Sequence, residues 1–176
     1  MDTVKIKKAT RADLDGTAEL YDAVCDFLEA HENFPGWKKG IYPARADAEA
    51  ALNNDSLYIA AADGRTVGTF ALKHTPEKGY DGAAWLTPND YSRILVLYTL
   101  AVHPNYYGHG VGEKLIDYAL KTARSKGCVS VRLDVVRGNL PAENLYRKCG
   151  FSFIETRSLG YEEYGLPWFN LYEKLL

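Results

Sequence analysis

The sequence has no long run of apolar residues. Its longest apolar-leaning run, Ile94 to Val102, has nine residues, whereas a helix that crosses a bilayer needs about 20. Residues 1–10 also lack the apolar stretch of a signal peptide. These absences predict a cytoplasmic protein with no membrane partner.

An excess of charge of one sign is also absent. The 21 basic and 23 acidic residues give a formal net charge of −2 and are mixed along the chain. Proteins that bind polyanions displace counterions with clusters of Lys and Arg, and no such cluster occurs here. We therefore expect no nucleic acid partner.

Cysteine is scarce and badly spaced for binding a metal. Cys25, Cys128 and Cys149 are an odd number at wide spacings, and none belongs to a CxxC or Cys/His cluster. We expect no metal, and we expect the three thiols to pack as small hydrophobic groups in a reducing compartment.

The sequence does contain enough apolar material for a core. Hydrophobic residues make up 47% of the 176, and neither the 7 prolines nor the 15 glycines suggest disorder. A chain of this length buries roughly two thirds of the surface that it exposes when unfolded. No repeat, low-complexity segment or linker divides it, so we predict a single domain over residues 1–176.

The first half of the chain predicts a strand, two helices and a hairpin. Thr10 and Asp13 resemble a capping box, and apolar residues then recur every three or four positions until His31. Residues 31–43 contain Pro, Gly and aromatic side chains, which predicts a loop ordered by its rings. The predicted elements are a strand at 4–7, helices from Thr10 to His31 and at 44–52, and strands at 57–61 and 66–74.

The second half predicts strands and helices after a long connection. Residues 76–90 are rich in Gly, Pro, Asn and Asp but carry Tyr80 and Trp85. They are longer than a hairpin needs, so we expect them to cover a site. Strands are predicted at 94–102, 129–135, 151–156 and 168–173, and helices at 111–126 and 141–149. This order predicts an α/β fold with a mixed sheet.

A glycine-rich turn joins the strand at 94–102 to the next helix. Gly108, Gly110 and Gly112 remove side chains from a helix start, where outward N–H groups and the helix dipole favour an anion. A pyrophosphate-bearing ligand is one interpretation, and a turn without a ligand is another. A Walker A motif and a Rossmann fingerprint both fail at Glu113, where the first needs Lys and the second needs Gly.

Two motifs together resemble those of the GNAT superfamily of N-acetyltransferases. The segment V-x-P-x-x-x-G-x-G-x-G at 102–112 looks like the family's acetyl-CoA motif, with Tyr107 where Gln or Arg is typical. The segment N-x-x-A-x-x-L-Y-x-K-x-G-F at 139–151 is similar to the family's later helix. The resemblance covers roughly residues 94–154. It implies the GNAT (acyl-CoA N-acyltransferase) fold, a mixed, mostly antiparallel sheet of six to seven strands with helices on both faces.

The resemblance also implies that acetyl-CoA is the cosubstrate. Main-chain groups of Leu100 and Val102 would pair with pantetheine amides between splayed strands, and residues 107–112 would hold the pyrophosphate. The cofactor-binding residues that it implies are Leu100, Ala101, Val102, Tyr107, Gly108, His109, Gly110, Val111, Gly112, Asn139, Ala142 and Tyr146.

Catalytic roles follow from the same resemblance. Transfer needs a neutral amine, a donor to the developing oxyanion and an acid for the departing thiolate. Tyr146 would be the acid, because phenol and thiol pKa values lie within roughly 1.5 units in water, and the Leu100 N–H would be the oxyanion donor. Tyr98, on the same strand face as Leu100, would be the base. His74 and His103 are alternatives, because histidine titrates near neutrality.

The acceptor implied by the resemblance is a primary amine of a small molecule or peptide. Aromatic residues at 31–42, 76–90 and 161–169 would line its pocket. Glu162 and Glu163 would attract a cationic amine, although solvated surface is the commoner place for Glu.

Two other functions are compatible with the sequence. A non-catalytic acyl-CoA binding or sensing module would keep the glycine turn without needing the Tyr146 hydroxyl, so the retained tyrosine favours an enzyme. A fold that only mediates protein contacts would bind no acetyl-CoA. A homodimer is compatible with either of them and with the enzyme.

Overall fold

The computed structural model describes residues 3–176. Its strands are β1 (Lys5–Lys8), β2 (Leu57–Ala62), β3 (Arg65–Lys73), β4 (Ile94–Val102), β5 (Ser130–Val136), β6 (Ser152–Arg157) and β7 (Phe169–Leu175). Its α-helices are α1 (Leu14–Ala30), α2 (Arg45–Asn53), α3 (Val111–Ser125) and α4 (Leu140–Lys148). The predicted order is confirmed. The largest boundary difference is at the first helix, where a 3-10 turn at Arg11–Asp13 precedes α1.

Seven strands of the described part form one sheet in the order β1-β2-β3-β4-β5-β7-β6. The pairs β1–β2, β2–β3, β5–β7 and β6–β7 are antiparallel, and β4–β5 is parallel. The predicted mixed, mostly antiparallel sheet is therefore confirmed. In the described chain, residues 3–33, 37–72 and 98–118 form one compact unit, and residues 34–36, 73–97 and 119–176 form a second. The single domain over 1–176 stays a prediction.

An apolar core under α1 holds the first unit together. Leu20 and Tyr21 on α1 are no more than 2% exposed, and they share a core cluster with Leu57 and Ile59 of β2. The three-and-four spacing predicted from the sequence is therefore the face that α1 buries.

Gly68 on β3 permits a close approach of α3 in this unit. A Cβ atom at residue 68 would lie 2.8 Å from the Leu115 Cδ1 atom and 3.3 Å from the Ala101 carbonyl oxygen. Carbon atoms pack at about 3.5–4.0 Å, so any side chain here would push α3 away. Gly68 on β3 therefore lets α3, the helix after the glycine turn, pack closely against the sheet.

A buried ion pair lies at the centre of the second unit. Arg132 on β5 and Glu173 on β7 are register partners, and both side chains are fully inaccessible to solvent. The Arg132 Nε atom donates to Glu173 Oε1 at 3.0 Å. Charges removed from water in this way are tolerated only when hydrogen bonds replace their hydration.

Those hydrogen bonds come largely from residues 76–92, which we call the connecting segment. Glu173 accepts from the Leu86 N–H and the Thr87 hydroxyl, both at 2.5 Å. Arg132 donates to acceptors in Thr87, Asn89 and Tyr91 at 2.7–2.8 Å, and its Cζ atom lies 4.3 Å from the Trp85 ring centroid. The ion pair therefore holds an irregular segment against two strands.

The Glu173 carboxyl is consequently held ionised. Burial alone would raise its pKa, but hydrogen bonds from Thr87, Ser130 and Arg132 outweigh burial, and its pKa lies below the ordinary value. A carboxyl with a lowered folded-state pKa adds stability above its unfolded-state pKa, about 4.3 for Glu. That stability is lost as the pH falls through the folded-state pKa.

We expect Glu173→Gln to lower the free energy of unfolding at pH 7 by about 3–5 kcal/mol, because it leaves the Arg132 charge buried without its counterion. Urea denaturation checks this. Asp26→Asn is the control, because it breaks an ion pair with Lys39 in which both side chains are about half exposed. Similar losses in the two variants would contradict the ion pair's role.

Candidate functional site

The glycine turn leaves backbone donors without protein partners. Gly108 and Gly110 have φ angles of 76° and 74°, which are unfavourable for residues with a Cβ, and no atom lies within 4 Å of a Cβ built at either position. The N–H groups of Gly108, Gly110 and Gly112 donate to no acceptor in residues 3–176. Unpaired donors at a helix start fit the predicted anion site.

Tyr107 begins this turn at the position where the family typically has Gln or Arg. Its side chain is 44% exposed, and its ring meets the Phe27 ring edge-on, with centroids 5.4 Å apart. Burial raises the pKa of the Tyr107 phenol, so the side chain brings no charge to the turn at neutral pH. The position that is typically Gln or Arg therefore adds no positive charge here, and the unpaired backbone N–H groups remain as donors to an anion.

The end of β4 carries an unusual backbone angle. Thr99 has φ of +49°, in the left-handed region that β-branched residues rarely adopt. Its Oγ1 atom lies 2.6 Å from the Tyr42 hydroxyl, a hydrogen-bond distance. Because Thr99 is not extended, strict alternation does not carry across it, and the same-face relation of Tyr98 and Leu100 no longer follows from the sequence. Tyr98 as a base stays a prediction.

The two histidines considered as alternative bases, His74 and His103, are both hydrogen-bonded to main-chain atoms. The Nδ1 atom of His74 lies 2.7 Å from the carbonyl oxygens of Tyr91 and Ile94, so it must donate. The Nδ1 atom of His103 accepts from the Asn105 N–H at 3.2 Å and caps a 3-10 turn. These contacts give both rings a structural role.

Helix α4 begins with a side-chain cap. The Asn139 carboxamide oxygen accepts from the Ala142 N–H at 3.3 Å, and Pro141 lies in the first turn. Asn139 and Ala142 were both predicted to bind the cofactor. The cap uses the Asn139 oxygen, so the motif's asparagine explains the start of the helix.

Tyr146 on α4 combines a buried ring with an unpartnered hydroxyl. The residue is 8% exposed, and its ring packs near those of Phe151 and Tyr172, with centroids 6.0 and 6.3 Å away. The hydroxyl makes no hydrogen bond within residues 3–176, although every buried side-chain N or O atom described there has one. The hydroxyl must therefore be accessible from outside.

The acidity of Tyr146 differs from the expectation based on water. Burial, with smaller contributions from Asp134 and Cys149, raises the pKa of this phenol well above its ordinary value. The phenol stays protonated throughout the neutral range. Tyr146 is therefore a weaker acid than a phenol in water, and the gap between its pKa and that of a thiol is wider than the sequence-based comparison assumed.

Sequence reasoning missed the residue that anchors α4. Glu143 is 3% exposed and accepts from Tyr172 Oη at 2.7 Å, Asn170 Nδ2 at 3.0 Å and Arg147 Nη2 at 2.7 Å. Two of these donors lie on β7, so Glu143 fixes the helix to that strand one turn before Tyr146. A charged residue in a helix is usually solvated, and the pattern alone offers no other reading.

Asp134 on β5 is a second polar residue that sequence reasoning missed. The Tyr80 hydroxyl donates to its Oδ1 atom at 2.7 Å, while Oδ2 has no partner within residues 3–176 and is accessible by the same reasoning as the Tyr146 hydroxyl. Burial raises the pKa of Asp134 to about 6; the Tyr80 hydrogen bond opposes this rise, and the Glu77 charge adds to it.

A carboxyl of this pKa can take up and release a proton near neutral pH. Its electrostatic effect on the Tyr146 phenol places the two groups near each other in the second unit. Perturbed acids and bases that lie together are typical of functional sites.

Some of the residues predicted to line an acceptor pocket are buried, and others are exposed. Tyr80 is fully buried, and the Trp85 ring stacks on Arg132, so both hold the connecting segment. Glu162 and Glu163 are exposed. Glu162 accepts from the Ser158 hydroxyl, and that hydrogen bond lowers its pKa. An acceptor role for the two glutamates stays a prediction.

Three further features concern cofactors and compartment. Residues 3–176 contain no group of three His, Cys, Asp or Glu side chains that could hold a metal ion. No helix in the same part is long and apolar enough to cross a membrane. Cys25 and Cys128 are buried free thiols, as predicted, whereas Cys149 is only partly buried.

Comparison with known proteins identifies the family. The model of the acetyltransferase (GNAT) family matches residues 18–151. The chain is 29% identical over 141 residues to streptothricin acetyltransferase from Escherichia coli, covering 77% of this chain and 72% of that protein.

Solved structures share the fold. A GNAT-family acetyltransferase from Streptococcus agalactiae has a TM-score of 0.83 at 19% identity, over 98% of this chain and 95% of that one. A putative acetyltransferase from Salmonella typhimurium, solved with its cofactor acetyl-CoA, has a TM-score of 0.71 at 17% identity, over 99% and 95%. The chain is a member of the acetyltransferase (GNAT) family.

Proposed function

We propose that the protein transfers the acetyl group of acetyl-CoA to a primary amine of a small molecule or peptide. The carrying observation is Tyr146, a buried ring whose hydroxyl is accessible and unpartnered on the helix of the second family motif. A tyrosine that served only to fill the core would not need a hydroxyl, and a buried hydroxyl would need a partner.

Residues at the glycine turn would hold acetyl-CoA. The unpaired N–H groups of Gly108, Gly110 and Gly112 suit a pyrophosphate, since each can donate without displacing a protein contact. Main-chain groups of Leu100 and Val102 would pair with the pantetheine amides. The second family motif adds Asn139 and Ala142 to the proposed cofactor-binding residues. When bound, acetyl-CoA would supply an acetyl thioester.

Three groups of the chain would carry the reaction: the Leu100 N–H, the Tyr146 hydroxyl and a base that is discussed below. The amine nitrogen attacks the thioester carbon while the carbon–sulfur bond breaks, so one proton leaves nitrogen and one reaches sulfur. The Leu100 N–H would donate to the developing oxyanion. Tyr146 would donate to the departing thiolate, and its raised pKa ensures that it holds a proton to give.

Asp134 is our proposed base. Its accessible Oδ2 atom has no partner in the described chain, and its pKa of about 6 leaves it mostly ionised at pH 7. A base with a pKa slightly below the working pH is both ionised and able to accept a proton. Tyr98 remains the alternative, and its phenol would have to act through water or as a phenolate.

The acceptor class follows from charge and from similarity. A primary amine reaches the site as a cation, which the Asp134 carboxylate attracts. It loses one proton to water before the neutral amine attacks, and a second proton passes to Asp134 as the nitrogen–carbon bond forms. The similarity to streptothricin acetyltransferase supports an amine of a small molecule. The cytoplasmic location and a homodimer stay predictions.

Free thiol release tests the function directly. Purified protein with acetyl-CoA is offered polyamines, amino acids, aminoglycosides, streptothricin and peptides, and mass spectrometry identifies any acetylated amine. Release with at least one amine supports the enzyme. Tight acetyl-CoA binding with no release from any acceptor favours the non-catalytic binding or sensing module, and no binding favours a fold that only mediates protein contacts.

We expect Tyr146→Phe to lower kcat by about 100-fold or more, the usual contribution of a general acid. The acetyl-CoA dissociation constant should stay within about twofold, because phenylalanine keeps the ring and the hydroxyl acts mainly on the departing thiolate. Steady-state kinetics and calorimetric titration measure the two quantities.

Tyr118→Phe is the control for this change. Tyr118 is half-buried on α3, outside the residues assigned to the cofactor and the acceptor, so its variant should keep both kcat and affinity. Equal losses of turnover and affinity in Tyr146→Phe would count against an acid role.

We expect Gly110→Ala to weaken acetyl-CoA binding by roughly tenfold, because a Cβ at positive φ costs about 1–2 kcal/mol and drives the free turn to another conformation. Gly64→Ala is the matched control, since Gly64 has φ of 73° and equally open surroundings in the β2–β3 hairpin. Isothermal titration compares the variants. Equal weakening in both would show a general loss of stability.

A further inference from the structure

We propose that Tyr80 is a positioning residue for the transfer reaction: its hydroxyl holds the Asp134 carboxylate in place and ionised, ready to receive the proton of the acceptor amine. The inference rests on the proposed function, in which Asp134 is the base. It assigns a catalytic purpose to the connecting segment, whose composition predicted only that it covers a site.

The position of Tyr80 is fixed from several sides. Its side chain is fully buried, and its carbonyl oxygen accepts from Trp85 Nε1 at 2.9 Å. At the preceding residue, Gly79, a Cβ atom would lie 2.5 Å from Leu159 Cδ2 and 2.8 Å from the Ser158 carbonyl oxygen. The backbone before Tyr80 is therefore packed too tightly for any side chain.

The Arg132–Glu173 pair holds the rest of the segment. Glu173 binds the Leu86 N–H and the Thr87 hydroxyl, and Arg132 binds the Thr87 carbonyl and the Tyr91 hydroxyl. Neither charge touches Asp134 directly. Arg132 also packs on the Trp85 ring, whose Nε1 atom donates to the Tyr80 carbonyl oxygen. These contacts link the ion pair to Tyr80, and through it to the carboxylate.

The surroundings of Asp134 explain why this hydrogen bond is needed. Glu77 and Tyr146 are the titratable groups that act on it besides Tyr80, and its register partner on β7 is the apolar Leu171. Burial and the Glu77 charge both favour the protonated carboxyl. The Tyr80 hydroxyl is the one group among them that favours the carboxylate.

The geometry leaves one oxygen for the reaction. Tyr80 occupies Oδ1 at 2.7 Å, while Oδ2 is accessible and has no partner within the described chain. The proton would pass from the amine nitrogen to Oδ2 as the nitrogen–carbon bond forms. A protonated Asp134 could not accept it, so loss of the Tyr80 hydroxyl would restrict activity to higher pH.

The test is Tyr80→Phe, which keeps the buried ring and removes the donor. We expect the acid limb of the kcat/KM profile to move up by roughly half to one pH unit, the size expected for one hydrogen bond. The plateau at high pH should stay within about twofold of the parent, because Asp134 is ionised there in both proteins. A ¹³C NMR titration of the Asp134 carboxyl, assigned with Asp134→Asn, should show the same shift without any substrate.

Tyr106→Phe is the matched control. It removes the same kind of hydrogen bond, from a tyrosine hydroxyl to an aspartate carboxylate, at Asp63 Oδ2 (2.7 Å), and should leave the Asp134 NMR midpoint unchanged. A lower plateau with an unmoved midpoint in Tyr80→Phe would reduce Tyr80 to a structural residue and overturn the proposal. So would an NMR shift without a matching shift of the acid limb.

The two experiments separate this inference from the proposed function. A parent protein that acetylates no amine would refute the function and the catalytic purpose of Tyr80 together. An active parent whose NMR midpoint does not respond to Tyr80→Phe would refute the inference alone.

Discussion

A buried ion pair governs the irregular part of the second unit. Arg132 and Glu173 have lost all contact with solvent, and the desolvation of two charges is offset only if hydrogen bonds satisfy their remaining donors and acceptors. The connecting segment supplies those groups from Leu86 to Tyr91. Any other conformation of the segment would leave a buried charge unsatisfied, so the pair selects one conformation.

The polar groups of this unit divide into those that are saturated and those that are not. Glu143 accepts three side-chain hydrogen bonds and fixes α4 to β7. Asp134 accepts one, at Oδ1, and the Tyr146 hydroxyl makes none. Saturated groups have their interactions already made and hold structure, whereas accessible, unsaturated groups beside them are free to meet a substrate.

In the first unit, the features that suit a ligand belong to the backbone rather than to side chains. Gly108 and Gly110 adopt positive φ angles, and their N–H groups donate to no acceptor in the described chain. Thr99 adopts a positive φ despite its branched side chain, next to a hydrogen bond with Tyr42. Strain of about 1–3 kcal/mol at a non-glycine residue persists only where the surroundings impose it, and such positions cluster at functional sites.

The order of strands and helices was predictable because apolar spacing and turn residues act over a few neighbours in the chain. The glycine turn and the helix of Tyr146 were predictable for the same reason, since each is a contiguous motif. The roles of Arg132 and Asp134 were not. Both alternate with apolar residues along β5, a pattern that normally places charges in solvent.

Sequence alone therefore determined the element order, the family and the two motifs. Only the tertiary structure decided that the connecting segment covers the polar face of β5, that Asp134 has its pKa raised to about 6, and that Tyr80 holds it. Burial and the hydrogen bonds that compensate it depend on residues 41 to 87 positions apart. Local periodicity carries no information about contacts over that separation.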